Sequence, residues 1–198
     1  MPTLLSTAYL PPALWVAHAV QSDGILLEAH ENFQKQSYRS RTEIAGPNGK
    51  QVLSVPVDRS IKDIRRTPLS YKEDWVKNHL RSIETAYANS PFFEVLFPDL
   101  EAVLNHRFNT LWELNLATIQ LMFHWLEFSK DIEFTSSYHP SFHGHDARSL
   151  HPKRELEVEM PAYLQVFGEK NGFISNLSAL DVFFNLGRSS WEITQIPP

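Results

Sequence analysis

The feature that most constrains the fold is a turn signal at Asn48-Gly49, within residues 33–57. An Asn-Gly pair readily adopts the positive φ angles of a type I′ turn, which joins two antiparallel strands. Before the turn, side chains of different character alternate from residue 35 to residue 44, as the two faces of a strand require. Residues 51–57 follow as the returning strand. We therefore predict an antiparallel β-hairpin.

Elements of both kinds surround this hairpin, so we predict an α+β (mixed α/β) fold in which a hairpin-containing antiparallel sheet packs against several helices. Apolar runs and turn residues predict further strands at residues 3–9, 25–29 and 61–66. Apolar periodicity and capping signals predict helices at residues 13–21, at 76–87, from the Thr110–Glu113 capping box to about residue 128, and at 180–186.

The length of 198 residues, 42% of them hydrophobic, predicts one domain spanning residues 1–198. We divide it into a β-rich first third (1–70), a helical middle (71–130), a His-rich loop (136–153) and a C-terminal helix (178–187). The chain has no cysteine, which excludes disulfides and thiolate nucleophiles. The apolar start lacks a basic segment and is interrupted by Pro11-Pro12, so we expect neither a signal peptide nor a membrane span, and a cytoplasmic location.

The overall charge of −5 disfavours nucleic acid as a partner. Locally the balance reverses, because residues 35–66 contain eight Lys and Arg against three acids. In a strand, Lys35, Arg39 and Arg41 would project from one face with about 6.6 Å between neighbours. Arginine forks at that spacing suit a phosphate or a diphosphate. The alternative is an ordinary solvated strand face.

A second constellation is Glu28, His30 and Asn32, which share a face if the strand from Ile25 extends that far. A carboxylate beside an imidazole is a common general-base arrangement. His30 is equally compatible with a structural role at a strand end. Asp181 has its own structural explanation, because a carboxylate in the first turn of a helix interacts favourably with the helix dipole.

The His-rich loop contains four histidines that suggest a divalent metal site: His139, His143, His145 and His151, with Asp146 among them. Their spacing matches no familiar metal motif, so a solvated loop is favoured, and we expect no metal and no cofactor. Walker, G-x-G-x-x-G, G-x-S-x-G and H-E-x-x-H motifs do not occur in the sequence.

Several motifs in a fixed order resemble the WbqC-like family. The first half carries S-x-x-Y-L-P ending at Tyr9-Leu10-Pro11, F-x-K-x-S-x-R-x-R from Phe33 to Arg41, and Asn48-Gly49 followed by Leu53-Ser54-Val55-Pro56-Val57. The second half carries Trp75 and His79, Tyr87 with Ser90-Pro91-Phe92-Phe93, Tyr163-x-Gln165-x-Phe167, Asn176-Leu177-Ser178-x-Leu180-Asp181, and Asn185-x-Gly187. Each motif alone is unspecific, but their shared order is characteristic.

The resemblance implies a role in bacterial surface-polysaccharide (O-antigen) synthesis, with acyl or aminoacyl transfer, such as glycine transfer, to a sugar. One expectation is therefore a transferase that binds a nucleotide-activated or phosphorylated sugar. The candidate catalytic residues are His30, Glu28 and Asp181, and the candidate substrate-binding residues are Lys35, Arg39, Arg41, Tyr9 and Asn32.

The sequence also departs from the family pattern. Ala29-His30 occupies the place of an expected acidic pair, Asn32 that of a Gln and Ser40 that of an Asn. Residues 136–163 look shorter than in longer members. These departures favour an alternative, a non-catalytic binding or scaffold protein that associates with polysaccharide-synthesis proteins.

Overall fold

Two sheets organise the fold in the computed structural model, which describes residues 1–154, 158 and 160–190. A parallel four-stranded sheet has the order β5-β2-β1-β6, and a separate antiparallel hairpin pairs β3 with β4. The strands are β1 Thr3–Leu5, β2 Ile25–Leu27, β3 Arg41–Gly46, β4 Gly49–Ser54, β5 Ile132–Phe134 and β6 His145–Asp146. The predicted mixed α/β class with an antiparallel hairpin is confirmed, whereas the parallel sheet is an element that the sequence analysis did not predict.

The parallel sheet is built on one β-α-β unit. Helix α1, Ala13–Gln21, connects β1 to its neighbour β2 and was predicted with these bounds. Both strands are short apolar runs, as parallel strands covered on both faces usually are. Strands β5 and β6 add to the two outer sides in the same direction. The carboxyl ends of four strands therefore lie at one edge, where ligands bind in open sheets of this kind.

The hairpin lies where it was predicted, but its turn is displaced by one residue. Gly46 pairs with Gly49, so the loop residues are Pro47 and Asn48. The proline ring fixes φ near −65°, which excludes the type I′ turn that we predicted. The positive φ falls instead on Gly49, at +100°. This strand residue therefore has the conformation for which glycine is needed.

Helices cover the hairpin and the parallel sheet. The main ones after α1 are α2 Trp75–Tyr87, α3 Phe93–Asn105, α4 Leu111–Trp125 and α6 Ala179–Leu186, with a short α5 at Gly168–Asn171. The Thr110–Glu113 capping box is present at the start of α4. Helix α3 was not predicted, because Pro98 lies inside it. Among the described residues, no helix has the length and hydrophobicity that crossing a membrane requires.

Three predicted strand assignments were wrong, at residues 28–32, 35–40 and 61–66. Residues 35–40 form turns, in which the Ser37 hydroxyl donates to the Gln34 carbonyl and Gln36 adopts a positive φ of 58°. Strand β2 also ends at Leu27, so Glu28, His30 and Asn32 do not share a strand face. Residues 61–66 contain a 3-10 turn rather than a strand.

The motif around Asn176 and Ser178 joins the end of the described chain to its beginning. The Asn176 side-chain oxygen accepts a hydrogen bond from the backbone of Leu14, and the Ser178 hydroxyl donates to the carbonyl of Leu10, both at 3.0 Å. A backbone bridge pairs Pro12 with Ser178. These contacts fix α1 and the preceding turn against α6.

Candidate functional site

A cleft of about 700 Å³ lies at the carboxyl edge of the parallel sheet. We call it the sheet-edge cleft. Each of three strands is followed by residues that line or support it, because β2, β5 and β6 all end at this edge. Nine residues line the cleft: His30, Glu31, Asn32, Gln34, Arg39, Tyr138, Asp146, Arg148 and Ser149.

Glu28 is the structural support of this cleft. Its side chain has no solvent exposure, and its carboxylate accepts hydrogen bonds from the Thr135 hydroxyl (2.7 Å), from the backbone of His30 and His139, and from Arg148 Nη1 (3.1 Å). Burial raises the pKa of Glu28, but the hydrogen bonds from Thr135, His139 and His30 and the charge of Arg148 outweigh it, so the net shift is downward. The group is an ionised anchor whose acceptor sites are occupied, which does not favour a role as a base.

The side chain of Arg39 is likewise held by contacts within the protein. Only 3% of the residue is exposed, and its Nε donates to Glu31 Oε1 at 2.8 Å while Nη2 donates to Glu31 Oε2. The same Nη2 donates to the Ser6 hydroxyl at 2.7 Å. Glu31 neutralises the guanidinium and occupies its fork, so the contacts that Arg39 makes in the structure are internal, and its phosphate contact stays a prediction.

His30 and Asn32 have exposed side chains that line the cleft, as catalytic or binding residues need. The backbone amide of His30 is held by Glu28, so the carboxylate positions the chain rather than the imidazole. His30 is therefore accessible to a ligand but is not part of the Glu–imidazole pair that the sequence suggested.

A second cavity of about 470 Å³ is lined by other residues of the segment 32–41. We call it the basic pocket. Lys35, Arg41 and Arg59 line it together with one acid, Glu73. Two of the three predicted cations are thus brought together, whereas Arg39 faces the sheet-edge cleft.

Arg41 differs from Arg39 in having an unpartnered donor. Its Nε is buried, and no hydrogen-bond partner for it occurs among the residues that the structure describes. Further cations lie near this position, since Arg154, Lys153, Arg39 and Arg41, after burial, lower the pKa of His151. A group of cations with few acids suits an anion.

Tyr9 lies behind the basic pocket rather than in it. The side chain is fully buried, and its hydroxyl lies 2.9 Å from His79 Nδ1. His79 also makes a hydrogen bond to the backbone of Ser54. Burial raises the pKa of Tyr9 and lowers that of His79 to about 4. The pair supports Ser54, a residue of the pocket wall.

Asp181 lies outside both cavities. It is completely buried at the start of α6, and its Oδ1 accepts hydrogen bonds from the Tyr163 hydroxyl (2.6 Å) and from Gln165 Nε2 (2.9 Å). Burial raises its pKa, while these hydrogen bonds act in the opposite direction. The network ties residues 163–165 to α6, which is a structural task.

The histidines of the 136–153 loop are dispersed. His145 belongs to β6 and lies against His18, with 3.2 Å between His145 Nε2 and His18 Nδ1. The backbone of His139 contacts Glu28. Across residues 1–154, 158 and 160–190, no three His, Asp or Glu side chains are grouped in a way that would hold a metal ion.

A model of the WbqC-like protein family matches residues 7–159. The chain belongs to the WbqC-like family. Both cavities lie within the matched residues, whereas the Tyr163–Asp181 network lies beyond them. No curated protein and no solved structure matches the chain. Family membership therefore rests on the region that forms the two cavities.

The structure brings residues into this WbqC-like site that the sequence analysis did not select. Arg59 was noted only as part of the local basic excess, although it lines the basic pocket. Tyr138 and Arg148 were placed in an aperiodic loop, and no sequence signal indicated that β6 directs this loop to the sheet edge. Glu31, the partner of Arg39, carried no signal either.

Proposed function

We propose that this WbqC-like protein binds a nucleotide-activated or phosphorylated sugar in the basic pocket and takes part in bacterial surface-polysaccharide synthesis in the cytoplasm. The observation that carries the proposal is the grouping of Lys35, Arg41 and Arg59 around one cavity with a single acid, Glu73. Three cationic side chains at one cavity suit the oxygens of a phosphate.

The pocket also suits the rest of such a ligand. Phe33, Val55 and Val57 give it an apolar wall beside the cations. A phosphorylated sugar or nucleotide presents both a charged group and less polar surface, and small-molecule sites typically combine an apolar lining with a few polar contacts. A single acid, Glu73, leaves the cationic side chains in excess.

The proposed reaction transfers an acyl or aminoacyl group, such as glycine, from an activated ester donor to an amine or hydroxyl of the sugar. The bond between the acyl carbon and the donor's oxygen breaks as the new bond forms, and the donor leaves with that oxygen. An amine or hydroxyl that accepts an acyl group must lose a proton. His30 is the proposed carrier of that proton, since it is exposed in the sheet-edge cleft while Glu28 and Asp146 are both bound to Arg148. Glu28 acts in this proposal as a positioning residue, because it holds the backbone of His30.

Titration calorimetry with UDP-N-acetylglucosamine and glucose 1-phosphate tests the binding proposal. A charge-assisted hydrogen bond contributes about 1.5–3 kcal/mol, so Arg41→Ala should weaken binding by about ten- to a hundredfold. The matched control is Arg65→Ala, which removes an exposed arginine from the 3-10 turn and should bind like the wild type. Equal affinity of the wild type and Arg41→Ala, or failure of the wild type to bind either ligand, would reject the proposal.

A second candidate function is a non-catalytic binding or scaffold protein of a polysaccharide-assembly complex. It is favoured by one observation: His30 and the cations Lys35 and Arg41 line different cavities. Turnover assays distinguish the two candidates. Acyl transfer that is lost in His30→Ala supports the enzyme, whereas ligand binding without transfer, together with a stable co-purifying synthesis protein, supports the scaffold.

A further inference from the structure

The sheet-edge cleft differs in chemistry from the basic pocket, and we propose that it is a separate binding site for a neutral sugar, with Tyr138 as the stacking surface. The proposal goes beyond the phosphate site, because it concerns another cavity and another ligand class. It rests on the position of Tyr138, the state of Arg148 and the charge balance of the lining residues.

Arg148 is held by contacts from three directions. Its Nε and Nη2 donate to the two oxygens of Asp146 at 2.9 and 2.6 Å, and its Nη1 donates to Glu28 (3.1 Å) and to the carbonyl of His139 (2.7 Å). Two carboxylates thus oppose one guanidinium, so the group as a whole carries an excess negative charge. The arginine is fixed in position and offers no free charge to an anion.

Tyr138 lies over this fixed arginine. The guanidinium carbon of Arg148 is 5.5 Å from the centre of the tyrosine ring, at cation–π distance. The residue is nevertheless 54% exposed and lines the cleft. One contact therefore supports the ring from within the protein, while the exposed surface is available for the apolar C–H face of a sugar ring.

The charges of the lining residues balance. Arg39 is paired with Glu31 and Arg148 with Asp146, so each arginine of the cleft is opposed by a carboxylate. Glu28, which is paired with Arg148, adds a further negative charge. A phosphate gains little in such surroundings, in contrast to the basic pocket.

The remaining lining groups are polar and mostly uncharged: His30, Asn32, Gln34 and Ser149. Imidazole, amide and hydroxyl groups donate and accept hydrogen bonds, which is what the hydroxyls of a sugar require. An aromatic surface with amides beside it, at the carboxyl edge of a parallel sheet, therefore fits an uncharged sugar.

Saturation-transfer NMR with glucose, galactose and N-acetylglucosamine tests this inference. The wild type is expected to transfer saturation to the sugar ring protons of at least one of them. Tyr138→Ala should weaken that binding by about tenfold, the size of a good aromatic contact, while Tyr138→Phe, which keeps the ring, should retain it. Because Tyr138 is exposed, thermal unfolding of both variants should match the wild type.

Arg41→Ala separates this inference from the proposed phosphate site. It should leave the neutral-sugar signal unchanged, and Tyr138→Ala should leave the affinity for glucose 1-phosphate unchanged. No saturation transfer to any of the three sugars, equal binding by wild type and Tyr138→Ala, or loss of the signal in Arg41→Ala would each overturn the proposal, whatever the outcome for phosphate binding.

Discussion

The sheet-edge cleft and the basic pocket are both lined by residues of the segment 32–41, and its two arginines have different surroundings in them. In the first, Arg39 is buried against Glu31 and Ser6. In the second, Arg41 keeps a buried donor without a partner among the described residues. Two arginines that are two residues apart thus have different surroundings. The difference teaches that the place of a cation in a motif does not determine its partner.

The largest effect is expected from removing Arg39. Arg39→Ala leaves Glu31 buried without a counter-charge and should lower the free energy of unfolding by about 3–5 kcal/mol. Arg41→Ala removes no ion pair that occurs among the described residues and should change this free energy by about 0.5 kcal/mol or less. Urea unfolding followed by circular dichroism measures both values.

A double variant makes this comparison stricter. Arg39→Met with Glu31→Gln removes both charges and should recover much of the stability lost in Arg39→Ala, because neither charge is left unpaired. The contrast between the two arginines is refuted if Arg39→Ala and Arg41→Ala lose the same stability.

Lowering the pH should remove the stabilising contributions of two buried groups over different pH ranges. The groups are His79, behind the basic pocket, and Glu28, below the sheet-edge cleft. His79, behind the basic pocket, has a folded pKa of about 4, below the unfolded value of about 6.5. Its neutral form is favoured by folding, so the stabilisation is complete above pH 6.5 and is lost as the pH falls towards 4. The loss reaches about 3 kcal/mol at most. Glu28, below the sheet-edge cleft, has a lowered pKa, so its contribution is lost only below the unfolded value of about 4.3.

Unfolding measured at intervals from pH 7.5 to pH 4.5 tests the effect of acid. Stability should fall across this range, and His79→Gln, which keeps one donor and one acceptor, should flatten the decline. The decline cannot come from His79 if this variant follows the same curve as the wild type. His18, whose pKa is lowered to about 4 by burial and by the charge of His145, adds to the slope in both proteins.

Changing the salt concentration is expected to have the smallest effect, and this effect is on ligand affinity. Raising the ionic strength from about 0.05 to 0.5 M shortens the Debye length, so the affinity for glucose 1-phosphate should fall several-fold. Binding of an uncharged sugar to the sheet-edge cleft should not change. Calorimetry of the phosphate ligand and NMR titration of the sugar, in the same buffers, provide the comparison. Equal salt dependence of the two ligands would show that the cavities do not differ in charge as described.

Local sequence signals correctly predicted helix caps and turns, which depend on residues that are close in sequence. The Thr110–Glu113 box caps α4, and the glycines flanking Pro47-Asn48 close a hairpin near the predicted place. Strands β5 and β6 have three and two residues, which is too short for a periodic pattern. The parallel sheet depends on long-range pairing that no local signal contains.

The candidate site was predicted only in part, for a similar reason. Lys35 and Arg41 were selected by charge and do line one cavity. Their alternation with Arg39 was taken for a strand, yet residues 35–40 form turns, and the three side chains line two different cavities. The pairing of Arg39 with Glu31 depends on how the chain folds back between the two residues, so residue type alone does not reveal it.

The contact of Asn176 and Ser178 with residues 10–14 has a consequence for synthesis on the ribosome. Asn176 and Ser178, whose side chains contact the start of α1 and the turn before it, are synthesised more than 160 residues after those segments. Because domains fold as units during synthesis, the opening helix should acquire its final protection only after the last third of the polypeptide has left the exit tunnel. Chains stalled shortly before residue 176 should therefore expose this apolar beginning to chaperones.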